Sequence, residues 1–544
     1  PIAAAARRIC GRWHCDFSKF PISDSKRMRK SQFLMGCALA TGLATYATSA
    51  MAQDFSYKGS ITSDLRFTVP GQDMPGDVDK VRFDRTDNTF RFTGAFTWGV
   101  VDAVADVSVT FSGQSEVSEL YTDRRREHVD PLYFESEALY VRISDFIIDG
   151  LDIRLGRQII DWGSADRFNP TSVINGLDLE DYQDFGRRVA NEMINITYTP
   201  GWEVEGEETP IFSEFQIQLV WVPCFKSGLI PESSEYLFGG PDQFRRFVRA
   251  STLKRLVDLQ QAYVDNLGSI NYHVTIDEPS RAIENSQVAL RVGFSLLGVD
   301  INLMGYYGYD HLMQPKDIKV DLQTSDSILE TAINAHIDKV ADPEQFPVLL
   351  DLMNQLGPEH IRFLTGNTDV KVTYPRVWVV GADFATSLDF MGGVGLWGEF
   401  SVTFHDDLGM NIDINGTKIR DVQEKKGAFF KGVVGIDNTF TKWLYVNMQY
   451  IYGFVDEFGA SDLGHYLMIN GDFKAFNEQM LFRLSVVMQL TEPSAIIMPS
   501  FSFRFWPGTE LIAGALLHAG TDDSTFGNRV AGPNYVFLQA KYSF

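Results

Sequence analysis

The sequence predicts an all-β fold, a transmembrane antiparallel β-barrel of about 16–18 strands with 18 favoured, and with long, partly helical extracellular loops. Apolar and polar residues alternate along many short segments, which is the pattern of strands with two different surroundings. Short and long connections follow one another along the chain. No run of 18 or more apolar residues follows the N-terminal region, which excludes a helical membrane protein.

The composition agrees with a barrel and excludes one class of partner. Hydrophobic residues make up 44% of the chain and aromatic residues 13%, with a mean hydropathy of −0.10. Such a water-soluble average is typical of barrels, because only every second strand residue contacts lipid. The 71 acidic residues outnumber the 48 basic ones, so we expect no nucleic-acid partner.

The N-terminus has the pattern of a secretory signal peptide over residues 28–52. A basic start at Met28 precedes an apolar stretch from Phe33 to about Ala47, and a small-residue cleavage pattern ends at Ala52. Residues 1–27 are then interpreted as an over-extended upstream reading, and residues 53–544 as a single barrel domain. Only Cys224 remains in that domain, so we expect no internal disulfide.

Strand patterns continue from the start of this domain to the last residue. The clearest segments are 55–69, 90–98, 101–111, 215–221, 288–296, 301–307, 394–404, 444–452, 480–488 and 536–544. The segments at 463–469 and 495–505 are weaker, which leaves the count between 16 and 18. The second face of the strands carries Arg291, Asp300, Glu399 and Arg483. We expect this face to line a water-filled lumen, where charged groups need no partner.

The connections alternate between short and long, as expected for short periplasmic turns and long extracellular loops. The short joins are expected near 98–99, 145–150, 199–210, 297–298, 387–392, 439–441, 470–472 and 507–508. The long loops are expected near 70–87, 112–131, 159–190, 223–285, 311–370, 405–426 and 455–463.

Two long loops contain segments with helical periodicity, 243–267 and 326–364. One interpretation is that these helices are solvated and cover the barrel rim. In the alternative, one helix folds inward and narrows the pore, or the basic helix at 243–267 binds lipopolysaccharide phosphates.

The densest cluster of charged residues lies between Leu151 and Asn195. Mixed charges at this density suggest a loop folded into the lumen, forming a constriction held by arginine–carboxylate pairs. The alternative is a surface loop with weak salt bridges. The candidate pore-lining or constriction residues are Arg154, Arg157, Asp161, Asp166, Arg167, Asp178, Arg187 and Arg188.

Two parts of the sequence carry a family resemblance. The motif Gly156-Arg157-Gln158, with Trp162-Gly163 and Asn169-Pro170, resembles an uncharacterised family of proteobacterial porin-like outer-membrane barrels, loosely similar to alginate-export-type barrels. The C-terminal strand, with Tyr542 and Phe544, resembles the signal that the barrel assembly machinery recognises. These resemblances imply a porin-like barrel in the outer membrane of a Gram-negative bacterium, without catalytic residues.

The function expected from these features is an outer-membrane channel for passive diffusion or export of a hydrophilic or amphipathic solute. The alternative is a plugged or closed barrel that acts as adhesin, receptor or structural partner of an envelope transport system. An outer-membrane hydrolase is a further alternative, for which His405, Asp406 and Asp407 form the only acidic cluster around a histidine. We expect no enzyme activity, cofactor or metal. Expected partners are outer-membrane lipid, lipopolysaccharide, the assembly machinery, an unknown solute and, as a candidate, an inner-membrane exporter.

Overall fold

The structure is a computed structural model. It describes residues 54–69, 81–114, 126–184, 186–206, 210–229, 269–323, 347, 351, 365–389, 392–455, 457–460, 463–521, 524–527 and 534–544. The chain divides into a large unit, residues 56–95 and 100–544, and a small unit, residues 1–55 and 96–99. In the small unit the described residues are two strand ends and a turn glycine, Gly99, with φ of 60°. All contacts given below lie in the large unit.

The described residues form 23 strands and little helix. In chain order the strands are β1 (Asp54–Thr68), β2 (Arg82–Trp98), β3 (Val101–Ser112), β4 (Leu132–Ile143), β5 (Leu151–Gln158), β6 (Asn191–Tyr198), β7 (Phe212–Val222), β8 (Ser269–Asp277), β9 (Gln287–Leu296), β10 (Val299–Tyr309), β11 (Gln314–Gln323), β12 (Thr365–Thr373), β13 (Arg376–Leu388), β14 (Val394–His405), β15 (Leu408–Ile414), β16 (Thr417–Glu424), β17 (Gly427–Thr441), β18 (Leu444–Tyr452), β19 (His465–Ala475), β20 (Met480–Gln489), β21 (Ser494–Phe503), β22 (Thr509–Ala519) and β23 (Tyr535–Ser543). The helical elements are α1 (Arg126–Val129) and two 3-10 turns, Tyr182–Asp184 and Ile283–Asn285. None of the helices in the described ranges is long and apolar enough to cross a membrane.

Eighteen of these strands form one closed antiparallel sheet. Each barrel strand pairs with the next one along the chain, and the last strand, β23, pairs with β1 from Ser60↔Ser543 to Thr68↔Tyr535. Gly59 and Phe544 extend this seam by exchanging two backbone hydrogen bonds of 2.9 Å each. Closure pairs both edges of the sheet, which removes the unpaired backbone groups of an open edge. The predicted barrel and the favoured count of 18 are confirmed, and the two weak segments are strands β19 and β21.

The outer face of the barrel is apolar, as the alternation predicts. On β13, Trp378 and Val380 are 58% and 55% exposed, and Phe404 of β14 is 47% exposed. The residues of opposite parity, such as Val379 and Glu399, are buried inside. Exposed large apolar side chains on most strands of the barrel would be unfavourable in water and fit a lipid environment.

The inner face differs from the predicted water-filled surface. Glu399 is fully buried and Asp383 is 5% exposed, and both accept hydrogen bonds from other side chains. Arg483 forms a bidentate pair with Asp472, with both distances 2.6 Å. The expectation of a hydrated group without a partner is wrong for Glu399, because residues 165–171 cover it and supply hydrogen-bond donors. Arg483 stays 45% exposed and pairs with Asp472 of the neighbouring strand.

The alternation of short and long connections is confirmed, with two differences in detail. The short join expected at 470–472 lies inside β19, and the turn follows at 476–479. At the end of the barrel that carries the long loops, β20 and β21 are joined by only residues 490–493.

Three consecutive long loops combine into a second sheet that the sequence did not predict. Its strand order is β16-β15-β11-β12-β8, with parallel pairing of β12 with β8 and of β11 with β15. Its buried residues include Val320, Val370 and Ile412. The helical segments expected at 243–267 and 326–364 lie outside the described residues, apart from 347 and 351. The named elements in the described parts of these three loops are strands, apart from the 3-10 turn Ile283–Asn285.

Candidate functional site: a segment inside the barrel

The connection from β5 to β6, residues 159–190, is here called the inner segment. Among its described residues the one regular element is the 3-10 turn Tyr182–Asp184, yet Trp162 and Ile174 are 2% and 1% exposed. Trp162 donates a hydrogen bond of 2.8 Å from Nε1 to Gln218 Oε1 on β7. Trp162 and Ile174 belong to an apolar cluster with wall residues that include Val220 and Val377. The inner segment is therefore packed against the barrel wall.

The far wall of the barrel holds the inner segment through Glu399 on β14. One carboxylate oxygen accepts hydrogen bonds from the Thr171 backbone N–H and hydroxyl, both 2.7 Å, and the other accepts from the Ala165 N–H at 3.1 Å. On β18, Gln449 Nε2 donates to the Asp166 carbonyl at 3.2 Å. These strands are five and seven places beyond β6 in a ring of 18. The inner segment therefore crosses the inside of the barrel.

A glycine allows this close approach to Glu399. Gly163 has φ of +102°, and a Cβ built there would lie 2.2–2.6 Å from the three carboxyl atoms of Glu399. Any side chain would displace the carboxylate and strain the backbone. The Trp162-Gly163 pair in the sequence motif thus marks a place where backbone contacts the wall.

The near wall holds the inner segment through ion pairs around Asp181. Arg66 on β1 donates from Nη1 and Nη2 at 2.9 and 2.5 Å, and Arg85 on β2 donates from Nη1 at 2.8 Å. Burial raises the pKa of Asp181, but the hydrogen bond and charge of Arg66, with the charge of Arg85, outweigh it and lower this pKa below its ordinary value. Asp181 therefore stays ionised inside the barrel.

Two arginines at the end of the inner segment have different partners. Arg187 donates to Glu135 on β4 and lies 3.4 Å from Asp178. Arg188 is buried and donates through Nη1 to the carbonyls of Ser172, at 2.5 Å, and Asn175, at 3.2 Å. Burial lowers the pKa of Arg188, while nearby Asp161 opposes this shift. Arg187 therefore connects the inner segment to the barrel wall, and Arg188 stabilises the inner segment through contacts within it.

The predicted site residues fall into three groups. Asp178, Arg187 and Arg188 are internal braces or wall contacts of the inner segment, as described above. Asp161, Asp166 and Arg167 lie on the same segment with exposed side chains. Their contact with a solute in the lumen stays a prediction.

The two candidates on β5 lie outside the inner segment. Arg157 shares its strand face with Leu155, which is 44% exposed on the outer surface, and it contacts Glu192 at 3.2 Å. The structure therefore places Arg157 away from the lumen. Arg154 lies on the opposite face, with its guanidinium 5.8 Å from the centre of the Tyr140 ring.

Several residues that fix the inner segment could not be singled out from the sequence. Arg66, Gln449 and Glu135 are ordinary polar positions on strands, and Glu399 was expected to be hydrated. The available signal was only their place on the inward face. Their partners are distant along the chain, with Thr171 and Glu399 separated by 228 positions, so spacing alone does not connect them.

The three residues named for the hydrolase alternative make local contacts beside a turn. The Asp406 carboxylate pairs with Lys426 Nζ at 2.7 Å, and Asp407 accepts a hydrogen bond from the Lys426 backbone N–H at 2.5 Å. His405 Nδ1 lies 2.9 Å from the Asp406 carbonyl, and its ring packs against Phe458. These contacts stabilise the turn that leads into β15.

No protein-family model matches the chain, and no curated protein matches it. Among solved structures, the chain is similar to a mutant of the Rh. blastica porin, with 9% identity over 90% of this chain and 100% of that chain, and a TM-score of 0.34. It is similar to Salmonella typhi OmpF in complex with daunomycin, with 7% identity over 90% of this chain and 97% of that chain, and a TM-score of 0.35. It is also similar to Acinetobacter baumannii OccAB2, with 8% identity over 91% of this chain and 99% of that chain, and a TM-score of 0.42. These TM-scores are too low to carry an argument, so the fold rests on the strand pairing.

Proposed function

We propose that this protein is a porin-like channel in the outer membrane of a Gram-negative bacterium, through which a hydrophilic or amphipathic solute passes by diffusion or export. The observation that carries this proposal is a closed barrel of 18 strands that is apolar outside and contains a segment with charged groups on its inside. A barrel of this size leaves an internal space that a single inward segment narrows.

The outer surface supports a membrane location. Exposed apolar side chains on consecutive strands include Leu290, Leu303, Val380, Phe404 and Phe430. At the closing seam, Tyr542 and Phe544 are each 48% exposed. In our proposal this end of β23 is the signal for the barrel assembly machinery, residues 28–52 are removed on export, and lipid with lipopolysaccharide surrounds the barrel.

The charged groups on the inner segment support a constriction. Asp161, Asp166 and Arg167 have exposed side chains on a segment that is fixed to opposite walls. Two carboxylates beside one guanidinium in a narrow passage would favour cations, because charges near low-dielectric walls act strongly on a passing ion.

A second candidate function is a closed barrel that serves as adhesin, receptor or partner of an envelope transport system, including an inner-membrane exporter. The observation that favours it is the packing of the inner segment into two apolar clusters with the wall, which involve Trp162 and Phe168. Such packing also plugs part of the lumen.

Conductance separates the two functions. Residues 53–544 would be refolded, inserted into a planar bilayer and measured in a salt gradient. The channel proposal predicts steady, salt-dependent conductance with cation preference, which the double variant Asp161→Asn and Asp166→Asn reduces in reversal-potential measurements. Lys474→Gln, in a pair with Glu478 near a short turn, is the control and should leave selectivity unchanged. Silence from protein shown to be folded and inserted would establish the closed barrel instead.

A further inference from the structure

The barrel wall is interrupted at the end of β5 and β6 that carries the long loops. These two strands have eight residues each and are the shortest in the barrel. The ladder between β4 and β5 ends at Leu139↔Arg157, whereas the ladder between β3 and β4 continues to Phe111↔Leu132. Within the described ranges, no barrel strand pairs with the 132–138 part of β4 on its β5 side, over a length of about 20 Å. This interruption is here called the notch.

Exposed apolar side chains surround the notch on the outer surface. Phe134 of β4 is 66% exposed beside it, and Leu139 of β4 and Leu155 of β5 are 52% and 44% exposed below it. In the proposed membrane, the notch therefore faces lipid. Lipid supplies no hydrogen bonds, so backbone at such an interruption needs polar partners from the protein or from a ligand.

A row of charged side chains closes the notch from the outside. Arg157 donates from Nε to the Ser136 carbonyl at 2.6 Å, and its Nη1 lies 3.2 Å from the Glu192 carboxylate. Lys226, which follows β7, lies 2.7 Å from the other oxygen of Glu192. The row thus runs from β4 to the end of β7, and side chains replace a backbone ladder here.

A second charged contact closes the notch from the inside. Arg187 of the inner segment donates to Glu135, and its Nε lies 3.7 Å from Glu137. Glu135 is next to Ser136 on β4, so the inner and outer contacts end on neighbouring residues. Ser136 Oγ is buried and has no hydrogen-bond partner in the part of the chain that the structure describes. Polar groups therefore continue through the wall from its outer face to the inner segment.

The carboxylate is the most accessible group of the outer row. The Glu192 side chain is 54% exposed, against 28% for Arg157 and 32% for Lys226. A charged group that arrives from the membrane therefore meets a carboxylate first. An ammonium group can donate hydrogen bonds to Glu192 and to the Ser136 carbonyl, the two acceptors that Arg157 now occupies. Charges on the lipid face of a barrel are otherwise unfavourable, and ionisable groups at membrane depth typically have a function.

We propose that the notch is a side opening that admits an amphipathic amine from the membrane into the barrel. Its ammonium head passes Glu192 and Ser136 by exchanging with Arg157, and its apolar tail stays against Phe134 and Leu155. A neutral or anionic head lacks the charge that would displace Arg157 from Glu192. This inference rests on the proposed channel function, because it names the class of solute, and a cationic head agrees with the expected cation preference.

Fluorescence quenching at two positions tests the proposal without requiring conductance. Cys224 is exposed, its carbonyl accepts a hydrogen bond of 3.1 Å from Asn191 Nδ2 at the notch, and it is the one cysteine in residues 53–544. The refolded barrel would be labelled there with a maleimide fluorophore and reconstituted in phosphatidylcholine vesicles. The reporter inside the barrel is the exposed position 167, labelled in the variant with Arg167→Cys and Cys224→Ser.

Dodecylamine with a nitroxide beside its head group is the quencher, and matched dodecanol and laurate are the neutral and anionic controls. At equal membrane-bound amounts, the amine should quench both reporters about threefold more than either control. Quenching by the amine at Cys224 alone would mean that it stays on the outer surface, and would overturn the proposal. Equal quenching by the amine and dodecanol would overturn it too. Barrels that cross-link through Cys224 and exclude all three quenchers would contradict it by showing that a second copy covers the notch.

Two variants locate the effect at the notch. Glu192→Gln keeps the shape of the side chain and removes its charge, so quenching by the amine should fall to the level of dodecanol. Arg157→Gln frees the Ser136 carbonyl and should increase quenching by the amine. Glu478→Gln and Arg504→Gln make the same charge changes at exposed turns and should alter nothing. Heat-modifiable gel migration verifies that each variant is folded.

The outcomes separate this proposal from the channel function. A barrel that conducts but shows no preference for the amine contradicts the side opening and keeps the channel. A barrel that never conducts, but in which the amine quenches both reporters through Glu192, contradicts the channel and keeps the side opening. Quenching that Glu192→Gln leaves unchanged would place the entry of the amine elsewhere and overturn the proposal.

Discussion

The inner segment and the second sheet are both built from long connections, yet different interactions hold them. Side chains of the wall hold the inner segment, for example Glu399 to the Thr171 and Ala165 backbone. The second sheet is held by backbone ladders between loops and by buried apolar residues such as Val370 and Met410. Removing one wall residue should therefore release a defined part of the inner segment, whereas the second sheet should depend on many small contributions.

The largest effect is expected for Glu399→Ala. The change leaves the Thr171 N–H, the Thr171 hydroxyl and the Ala165 N–H without their acceptor inside the barrel, which should cost roughly 3 kcal/mol or more of unfolding free energy. Hydrogen exchange should accelerate at 165–171 and stay unchanged in the second sheet. Glu478→Ala, at an exposed turn, is the control. Unchanged protection at 165–171 would show that Glu399 does not hold the segment.

A smaller effect is expected for Asp181→Asn. Loss of the ion pairs with Arg66 and Arg85 should lower the unfolding free energy by roughly 2 kcal/mol near neutral pH. The folded pKa of Asp181 is lowered, so its stabilisation is present above the unfolded value of about 3.9 and is lost as pH falls through the folded pKa.

Denaturation measured from pH 7 down to pH 2 tests this prediction. The difference between wild type and Asp181→Asn should shrink in the acid range and be constant above about pH 5. A difference that grows as pH falls would contradict the assignment of Arg66 and Arg85 as the groups that keep Asp181 ionised.

Ile412→Val reverses the comparison, because it affects the second sheet alone. Ile412 is 1% exposed on β15, and removing one methylene from such a site should cost about 1 kcal/mol. Hydrogen exchange should rise in β11, β12 and β15, while channel conductance stays at the wild-type value. A change in conductance would mean that the second sheet also controls the passage.

The smallest effect is expected for Asp406→Asn. The Asp406 side chain is 83% exposed and pairs with Lys426, whose side chain is 74% exposed, so solvent screens the pair. Thermal stability should be unchanged within error, and phospholipid and peptide substrates should remain uncleaved by both proteins. A hydrolytic activity that Asp406→Asn abolishes would revive the hydrolase alternative.

The barrel could be predicted from sequence because its physical cause is local. The alternation of apolar and polar residues around Trp378 and Phe404 indicates that one face of each strand contacts lipid. The lengths of the connections indicate at which end of the barrel each loop lies. The density of charges at 151–195 likewise indicated the candidate site. Both signals are readable within a few tens of residues.

The contacts of the inner segment could not be predicted for the opposite reason. Nothing near Thr171 in the sequence indicates that it contacts Glu399. The apolar–polar alternation around Glu399 is the same whether the inner face of its strand contacts water or another segment of the protein. The second sheet was missed because β8, β11 and β15 come from separate loops, and each strand alone resembles an irregular connection. Arg157 was included with the lumen candidates because of the charge density at 151–195, although it shares a strand face with the exposed Leu155.

Conductance of single wild-type and Glu399→Ala barrels in a planar bilayer tests the central claim, that a segment fixed across the lumen narrows a conducting pore. The account predicts a steady conductance for the wild type and a larger, fluctuating one for Glu399→Ala, since release of the segment widens the passage. Identical conductance in the two proteins, or silence of both when they are folded and inserted, would contradict it.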